Sequence, residues 1–222
     1  MRIALIDADM LCYRIGFACD KEVQAVALKT MDNFITDLLC NITATEWELY
    51  LTGKDNFRND YAVTVPYKGN RDGMKRPQHL QALRDYLVKE WDANVTEGEE
   101  ADDAIAIRAT ELGDESMIVS LDKDFDQVQG WHYNFVKDNL YYVTKEEGIL
   151  NFYMQFLTGD KVDNIIGVKG IGPVKAKKLL EGLSEEEMFN VCVDKLGSKE
   201  RAIENGMLLY LRRTPNELWS HP

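Results

Sequence analysis

The acidic side chains of the 222-residue chain that could bind metal fall into four clusters. They are Asp7; Glu100, Asp102 and Asp103; Asp122 and Asp124; and Asp160 and Asp163. Carboxylates gathered on one surface repel each other unless cations neutralise them or some stay protonated. Oxygen ligands without cysteine or histidine favour Mg²⁺ or Mn²⁺ over zinc. The sequence therefore predicts a centre for hard divalent cations, of the kind that hydrolyses phosphodiester bonds.

Each cluster also has a simpler interpretation when it is taken alone. The acids from Glu100 to Asp103 begin a predicted helix, where carboxylates interact favourably with the helix dipole. Asp122 and Asp124 suit a solvated turn. Asp7 is harder to explain in this way, since a carboxylate that ends a buried strand needs a partner. The combination of the four clusters is what favours a metal site.

Three continuous apolar runs predict the strands that position these acids. They cover residues 2–6, 48–51 and 117–121, and are followed by Asp7, Thr52 and Asp122. Such runs are typical of a parallel sheet that is covered on both faces. Ligands of open α/β sheets bind beyond the carboxyl ends of the strands. We therefore expect Asp7, Thr52 and Asp122 to lie at one edge of the sheet.

Helical patterns separate these strands and dominate the second half of the chain. Apolar spacing and two capping boxes predict helices over residues 31–42, 78–91, 101–112, 144–157, the segment after Ser184, and 198–211. The predicted fold class is α/β, with an open sheet flanked by helices. We expect residues 1–143 to form the core that contains the sheet and residues 144–222 a helical lobe, packed as one globular unit.

The formal net charge of −12 argues against a nucleic-acid-binding protein, because phosphate binding normally requires a basic surface. The basic residues are bunched, however. Residues 67–77 contain four basic residues and one acid, and residues 164–180 contain four lysines and no acid. A protein polarised in this way can bind DNA locally while it is acidic overall.

The 4 cysteines form no C-x-x-C pair and have no zinc spacing with the histidines, which indicates free thiols in a reducing compartment. The apolar run at the N-terminus is too short for a signal peptide, and no stretch is long enough to span a membrane. We therefore expect a cytoplasmic protein without a membrane partner, and a monomer.

Five short motifs, in order along the chain, resemble the 5′ nuclease and flap endonuclease family, which includes the 5′ nuclease of DNA polymerase I and bacteriophage 5′→3′ exonucleases. The motifs are the first strand with Asp7 and Arg14; Phe57-Arg58 with Tyr67-Lys68-Gly69-Asn70-Arg71; Glu100-Ala101-Asp102-Asp103; Ser120-Leu121-Asp122-Lys123-Asp124; and Gly159-Asp160-Lys161-Val162-Asp163-Asn164 with the glycine-rich hairpin from Gly167 to Gly172. The resemblance extends from the first strand to about Leu180.

The resemblance implies a PIN-like fold: an open, mostly parallel sheet flanked by helices, with a C-terminal lobe that carries a helix–three-turn–helix motif. It implies a structure-specific 5′ nuclease, a 5′→3′ exonuclease or flap endonuclease, from a bacterial cell or a phage-infected host. The implied partner is DNA with a 5′ end, a flap or a branched duplex. The implied products carry a 5′-phosphate and a 3′-hydroxyl.

The resemblance also assigns roles to single residues. Asp7, Glu100 and Asp102 would hold one Mg²⁺ or Mn²⁺ ion, with Asp103 near it. Asp122, Asp124 and Asp163 would hold a second ion, with Asp160 near it. Lys68 would stabilise charge on the phosphate, assisted by Arg71, and K⁺ would bind to carbonyls of the hairpin Gly167–Gly172. The implied DNA-binding residues are Arg14, Arg58, Lys75, Arg76, Lys169, Gly170, Gly172, Lys175, Lys177 and Lys178.

One position departs from the family, because Thr52 stands where the strand before the basic segment normally ends in an aspartate. A threonine supplies no negative charge, so the first ion would be held more weakly. Two alternatives stay open. One is a related nuclease that acts on RNA, either RNase H-like on RNA–DNA hybrids or of the PIN ribonuclease type. The other, which Thr52 favours, is a non-catalytic factor that binds branched DNA.

Overall fold

A computed structural model describes residues 2–222 and contains a six-stranded sheet. Its strands are β1 (Ile3–Asp7), β2 (Trp47–Lys54), β3 (Asn94–Glu97), β4 (Ser116–Val119), β5 (Gly130–Asn134) and β6 (Asn139–Val143). The spatial order is β3-β2-β1-β4-β5-β6, and every pair is parallel except β5 with β6. The sheet is therefore open and mostly parallel, as predicted.

Nine helices are present among residues 2–222. They are α1 (Ala8–Ala18), α2 (Gln24–Asn41), α3 (Arg58–Tyr61), α4 (Leu80–Glu90), α5 (Ala101–Leu112), α6 (Lys145–Thr158), α7 (Pro173–Leu180), α8 (Glu185–Leu196) and α9 (Lys199–Leu209). The bounds of α5 agree with the predicted ones. Helices α6 and α8 begin directly after Thr144 and Ser184, the N-cap residues of their capping boxes. In the first of these boxes Thr144 Oγ1 accepts from Glu147 N at 3.2 Å. Helix α1 was not predicted.

Strand β1 lies in the middle of the sheet, and its last residue, Asp7, lies at the carboxyl edge of the sheet. Asp7 lies opposite Tyr50 of β2, and Ile6 lies opposite Val119 of β4. The prediction that the second strand ends at Thr52 is wrong, because β2 continues to Lys54, which pairs with β3. Backbone pairing does not require apolar side chains, so the end of the apolar run did not mark the end of the strand.

The core has three parts. Side chains of β1 alternate between the two faces of the sheet, as strand geometry requires. Ala4 and Ile6 pack in one cluster with residues of α1, α2 and α4, whereas Leu5 packs on the opposite face with residues of α5. The third cluster lies in the helical half, around Phe156 and Leu180, and also includes Tyr67 from the first half of the chain. The two halves therefore share packing contacts.

The segment between α6 and α7 is a compact glycine-containing connection. It begins with a two-stranded hairpin, β7 (Gly159–Asp160) and β8 (Ile165–Ile166). A Cβ atom on Gly159, whose φ is +66°, would lie 2.3 Å from the backbone nitrogen of Gly167. A side chain cannot fit there, so the backbone segments of Gly159 and Gly167 can lie in contact only because both residues are glycine. This contact fixes the position of Asp160, which follows Gly159. No helix among residues 2–222 is long and apolar enough to cross a membrane.

Candidate functional site

Asp7 is built into the junction between β1 and α1. Its side chain caps α1 by accepting from Met10 N at 3.1 Å, and its second oxygen accepts from Ser120 Oγ at 2.9 Å. Only 4% of the residue is exposed. Burial raises the pKa of Asp7 to about 6, and the negative charges of Asp9 and Asp122 act in the same direction.

Asp102 lies in the first turn of α5 and faces this carboxylate. Burial raises the pKa of Asp102 well above its usual range, and the charges of Asp7, Glu100 and Asp122 raise it further. Its side chain forms no hydrogen bond or ion pair with any part of residues 2–222. Asp102 is therefore an unpartnered carboxylate within electrostatic range of three other acids.

Asp124 lies in the 3₁₀ turn Lys123–Gln127 that follows β4, and Asp122 is the N-cap residue of that turn. Asp122 Oδ1 caps this turn by accepting from Asp124 N at 2.9 Å, and Gln155 Nε2 donates to Asp124 Oδ1 at 2.6 Å. Burial raises the pKa of both acids, that of Asp124 to about 7, and the charge of Asp160 contributes to each shift. These two acids therefore extend the same electronegative edge.

Asp160 and Asp163 are held in a different way, because cations and backbone amides surround them. Asp160 Oδ2 accepts from Lys123 Nζ at 2.9 Å, and its other oxygen accepts from Val162 N at 2.6 Å. Burial opposes ionisation of Asp160, but Lys123 and the backbone amides outweigh it and hold the pKa below its usual value. Asp163 Oδ1 accepts from Arg71 Nη2 at 2.6 Å.

Lys68 and Tyr67 connect the two sides of the site. Lys68 Nζ donates to Glu100 and lies 3.6 Å from Asp163 Oδ2. The single proton of the Tyr67 hydroxyl is shared between Glu100 Oε2 at 2.8 Å and Asp163 Oδ2 at 2.7 Å. Burial opposes ionisation of Glu100, yet Lys68 and Arg58 lower its pKa. Lys68 has a left-handed backbone (φ 54°), which its N–H stabilises by donating to Asp163 O at 2.9 Å.

The acids differ in how well they suit a divalent cation. No three His, Cys, Asp or Glu side chains within residues 2–222 form a ready-made metal cage. Glu100, Asp160 and Asp163 already have lysine or arginine partners. The second set has raised pKa values and consists of Asp7, Asp102, Asp122 and Asp124. Within residues 2–222 only Asp124 of this set forms an ion pair, with Lys123 Nζ at 3.6 Å. This second set fits hard divalent cations, which would supply the missing positive charge.

Two of the predicted roles are wrong, because the side chains are buried away from any ligand. Arg58 is 1% exposed, and its guanidinium donates to both oxygens of Asp103 at 2.5 and 2.8 Å. Its Nε also donates to Leu208 O at 2.9 Å. Arg58 therefore cannot contact DNA. Asp103 is 0% exposed and paired with Arg58, so it is not available as a metal ligand.

The other predicted DNA-binding residues lie at the surface. Exposed side chains are those of Arg14, Lys75, Arg76, Lys169, Lys175, Lys177 and Lys178. The last three lie on α7, with Gly172 as its N-cap and Gly170 (φ +81°) in the loop before it. Among these cations, Lys75 pairs with Asp20 and Lys177 lies 3.6 Å from Glu181. Their roles in binding stay predictions.

Sequence reasoning missed several polar partners of the site. Ser120, Lys123 and Tyr67 belong to the motifs themselves but were assigned no role, and their place in the motifs was the signal for them. Gln155 carried no such signal, because its contact with Asp124 spans 31 positions. Thr52 holds the start of α5, since its hydroxyl accepts from Ala101 N at 3.0 Å and its own N–H donates to Asp9 at 2.7 Å.

An open, mostly parallel sheet with clustered carboxylates at its carboxyl edge defines an α/β fold of the 5′ nuclease type. The family model described as 5′-3′ exonuclease, N-terminal resolvase-like domain, matches residues 2–154. The chain belongs to this family.

Several known proteins are similar to the chain. Flap endonuclease Xni of Shewanella halifaxensis is 29% identical over 222 residues, which cover 92% of this chain and 87% of the relative. Flap endonuclease Xni of Shewanella sediminis is 35% identical over 138 residues, covering 54% of this chain and about half (52%) of the relative. DNA polymerase I of Bacillus caldotenax is 26% identical over 88% of this chain, which spans 25% of that protein.

Solved structures share the fold. The bacteriophage T5 5′-exonuclease with bound zinc superposes with a TM-score of 0.72 at 21% identity, covering 94% of this chain and 89% of the other. The T5 flap endonuclease in a pseudo-enzyme–product complex with DNA and metal ions gives a TM-score of 0.72 at 20% identity, with 95% and 89% covered. These likenesses establish the fold class.

Proposed function

We propose that the protein is a divalent-metal-dependent 5′ nuclease that hydrolyses phosphodiester bonds of DNA and leaves 5′-phosphate and 3′-hydroxyl ends. One observation carries this proposal. Asp7, Asp102, Asp122 and Asp124 share one edge of the sheet with raised pKa values, and a lysine lies beside them. Relatives named flap endonuclease, 5′-exonuclease and DNA polymerase I support the choice of nucleic acid.

The acidic edge would hold two Mg²⁺ or Mn²⁺ ions, with Asp7 and Asp102 on one side and Asp122 and Asp124 on the other. When bound, such ions lower the pKa of water and stabilise negative charge on the leaving oxygen. The acids must be deprotonated to serve as ligands, and their raised pKa values mean that metal competes with protons there. Bound cations would thus replace the protons that limit repulsion in the metal-free protein.

Lys68 would neutralise the scissile phosphate. Its ammonium group lies between Glu100 and Asp163, and Arg71 is held by the same aspartate. A phosphate that reaches this position meets two cations in a partly buried setting, where charge interactions are stronger than in water. Tyr67 donates to the same two acids, and so fixes the carboxylates against which Lys68 is oriented.

DNA binding is assigned to the connection between α6 and α7. A groove of about 880 Å³ follows this connection and is lined by residues from Thr158 to Pro173. Lys169 lies in its wall, and the exposed lysines of α7 continue the basic surface. Backbone amides and lysines of this kind bind phosphates without reading sequence. The proposed substrate is therefore duplex DNA with a 5′ end, flap or branch, and the loop carbonyls at 167–172 are the proposed K⁺ site.

Thr52 no longer favours a non-catalytic factor. Its hydroxyl is used to hold the first residue of α5, and the neighbouring Asp9 is bound by Thr52 N–H and by Arg84. A threonine at this position therefore has a structural role beside a complete set of other acids. The contacts within residues 2–222 do not favour an RNA–DNA hybrid over DNA as the substrate. The cleavage assay therefore includes an RNA–DNA hybrid.

The test is a cleavage assay on four substrates: 5′-flap DNA, blunt duplex DNA, single-stranded DNA and an RNA–DNA hybrid. Each is incubated with Mg²⁺ or with excess EDTA, and product ends are mapped. We expect Mg²⁺-dependent cleavage of DNA near the 5′ end or branch, with 5′-phosphate products. Binding without cleavage in Mg²⁺ and Mn²⁺, or robust cleavage in EDTA, would overturn the proposal. Preferential cleavage of the hybrid would reassign the substrate.

A further inference from the structure

The C-terminal strap, which we define as residues 208–213, passes between two buried polar side chains from distant parts of the chain. On one side, Arg58 donates to Leu208 O at 2.9 Å and to Tyr210 O at 2.7 Å. On the other side, Gln127 donates to Leu209 O at 2.9 Å and accepts from Leu211 N at 3.0 Å. Successive carbonyls of the strap thus point alternately to Arg58 and to Gln127.

These carbonyls need partners, because α9 ends at Leu209 and the last four carbonyls of a helix have none within it. Arg58 supplies a cation at this negative end of the helix, which is a favourable charge arrangement. The strap is therefore fixed by strong, buried hydrogen bonds rather than by apolar packing alone.

The Arg58 side of the strap leads to the first turn of α5. Arg58 pairs with both oxygens of Asp103, and Arg212 N donates to Asp103 Oδ1 at 3.2 Å. Arg212 Nη1 also lies 2.8 Å from Glu99 Oε2. Because Glu99 and Asp103 flank Glu100 and Asp102 in sequence, the strap is anchored around the acids that α5 presents.

The Gln127 side leads to the other acids. Gln127 is the last residue of the 3₁₀ turn that Asp122 caps and that carries Asp124, and it is 5% exposed. Arg213 Nη2 adds a hydrogen bond to Gln127 O at 2.8 Å. A single segment is therefore hydrogen-bonded both to the first turn of α5, which carries Asp102, and to the 3₁₀ turn that carries Asp124.

We propose that the C-terminal strap is a positioning device, in which Gln127 on one side and the Arg58–Asp103 pair on the other hold the two acid-bearing elements at the separation that metal binding requires. The inference rests on the proposed function. The charge of Asp122 acts on Asp102, so repulsion between the two acids opposes the apolar packing that joins Ile105 of α5 to Phe125 of the 3₁₀ turn. The strap adds directional hydrogen bonds to both elements and so holds them against that repulsion.

The central test is Gln127→Ala, which removes both side-chain hydrogen bonds to the strap and leaves every acid in place. Metal binding is followed by melting curves of the full chain at increasing Mg²⁺, with no DNA present. Cleavage of 5′-flap DNA is titrated with Mg²⁺ in parallel. We expect both Mg²⁺ midpoints to rise on the order of tenfold, the scale typical of residues that orient metal ligands.

The matched control is Leu38→Ala, which opens a cavity in a different part of the core, in α2. It should lower the melting temperature without moving either Mg²⁺ midpoint. If Gln127→Ala does not fold, Gln127→Met carries the same test, since it keeps the length of the side chain and loses only the hydrogen bonds.

Unchanged Mg²⁺ midpoints in the Gln127 variants, with a lower melting temperature, would make the strap purely structural and overturn the inference. That result would leave the proposed function intact. Failure of the wild-type chain to cut or to respond to Mg²⁺ would instead overturn the proposed function itself. The two failures are thus distinguished by the wild-type titration.

Discussion

At the scale of single residues, Lys68 is distinguished by its two acidic neighbours. Its ammonium group neutralises Glu100 and lies near Asp163. Burial opposes its charge, but these two carboxylates outweigh burial and raise the pKa of Lys68, so it remains a cation in the physiological range. A permanently charged donor at this position suits stabilisation of a phosphate better than proton transfer.

Lys68→Ala should therefore lower the single-turnover cleavage rate of saturated enzyme by about 100-fold, the scale of losing one charge-stabilising donor. Its effect on the Kd for DNA should be smaller, because binding is spread over other cations. The control is Lys89→Ala, which removes an exposed lysine from the last turn of α4. Equal effects of the two substitutions on rate would remove Lys68 from the reaction.

Asp102→Asn should abolish cleavage and raise the melting temperature measured in EDTA. The substitution removes a carboxylate that repels Asp7 and Asp122 and breaks no hydrogen bond, because the side chain has none. Asp37→Asn on the exposed surface of α2 is the control for the loss of one charge. If the variant still cuts at the wild-type rate, Asp102 is not a metal ligand and only interacts with the dipole at the start of α5.

At the scale of elements, α7 presents lysines without direct acidic partners on most of its exposed surface. Replacing Lys175, Lys177 and Lys178 together with alanine should weaken binding to duplex DNA of any sequence. It should also flatten the log–log dependence of affinity on salt by up to about three units. Binding is measured by fluorescence anisotropy in Ca²⁺.

The control for this variant removes the same number of positive charges from surface positions outside α7. It replaces the exposed residues Lys21, Lys29 and Lys89 with alanine. If the two triple variants lose the same affinity and the same salt slope, the effect comes from net charge, and α7 is not the DNA-binding element.

The contact between α3 and α5 is also testable at this scale. Arg58→Met leaves Asp103 as an unpaired buried charge and should cost about 3–5 kcal/mol of unfolding free energy in urea. Adding Asp103→Leu removes that charge, so the double variant should recover part of the loss. A double variant that is as unstable as the sum of two independent losses would show that the pair is not coupled.

At the scale of the whole molecule, the acidic edge should make stability fall as pH rises and increase when metal binds. Burial raises the pKa of Asp7 to about 6 and that of Asp124 to about 7. The folded protein therefore holds protons that the unfolded chain, with ordinary carboxyl groups, has already lost. The stability contributed by these protons is complete at low pH and is lost as pH rises through the two folded-state values.

In EDTA, the melting temperature should consequently fall between about pH 6 and about pH 8, by about 2–4 °C for each kcal/mol lost. The increase produced by saturating Mg²⁺ should be larger at the higher pH, because metal then no longer competes with protons. Both quantities come from melting curves on the same samples. A metal-free melting temperature that rises over this interval would contradict the assignment of these acids.

Local sequence determined much of the framework. The continuous apolar runs located β1, β2 and β4, because a buried strand has to be apolar on both faces. Capping boxes located α6 and α8, since their hydrogen bonds join residues three positions apart. The short strands β3, β5 and β6 and the end of β2 escaped prediction. The end of β2 pairs with the distant strand β3, as Lys54 does with Glu97. Strands β5 and β6 form a local hairpin, but neither is apolar over its full length, so no continuous apolar run marked them.

The acids of the site were also readable from sequence, because carboxylates at the ends of parallel strands must meet at one edge. Only the tertiary structure decided which of these acids are neutralised by basic side chains and which are available to bind metal. Asp103 is neutralised by Arg58 across 45 positions, and Arg58 reaches Leu208 across 150 positions. Gln127 reaches the strap across 82 positions. A side chain's partner at such separations depends on how the whole chain packs, so only the folded protein distinguishes a carboxylate that can bind metal from one that holds the fold together.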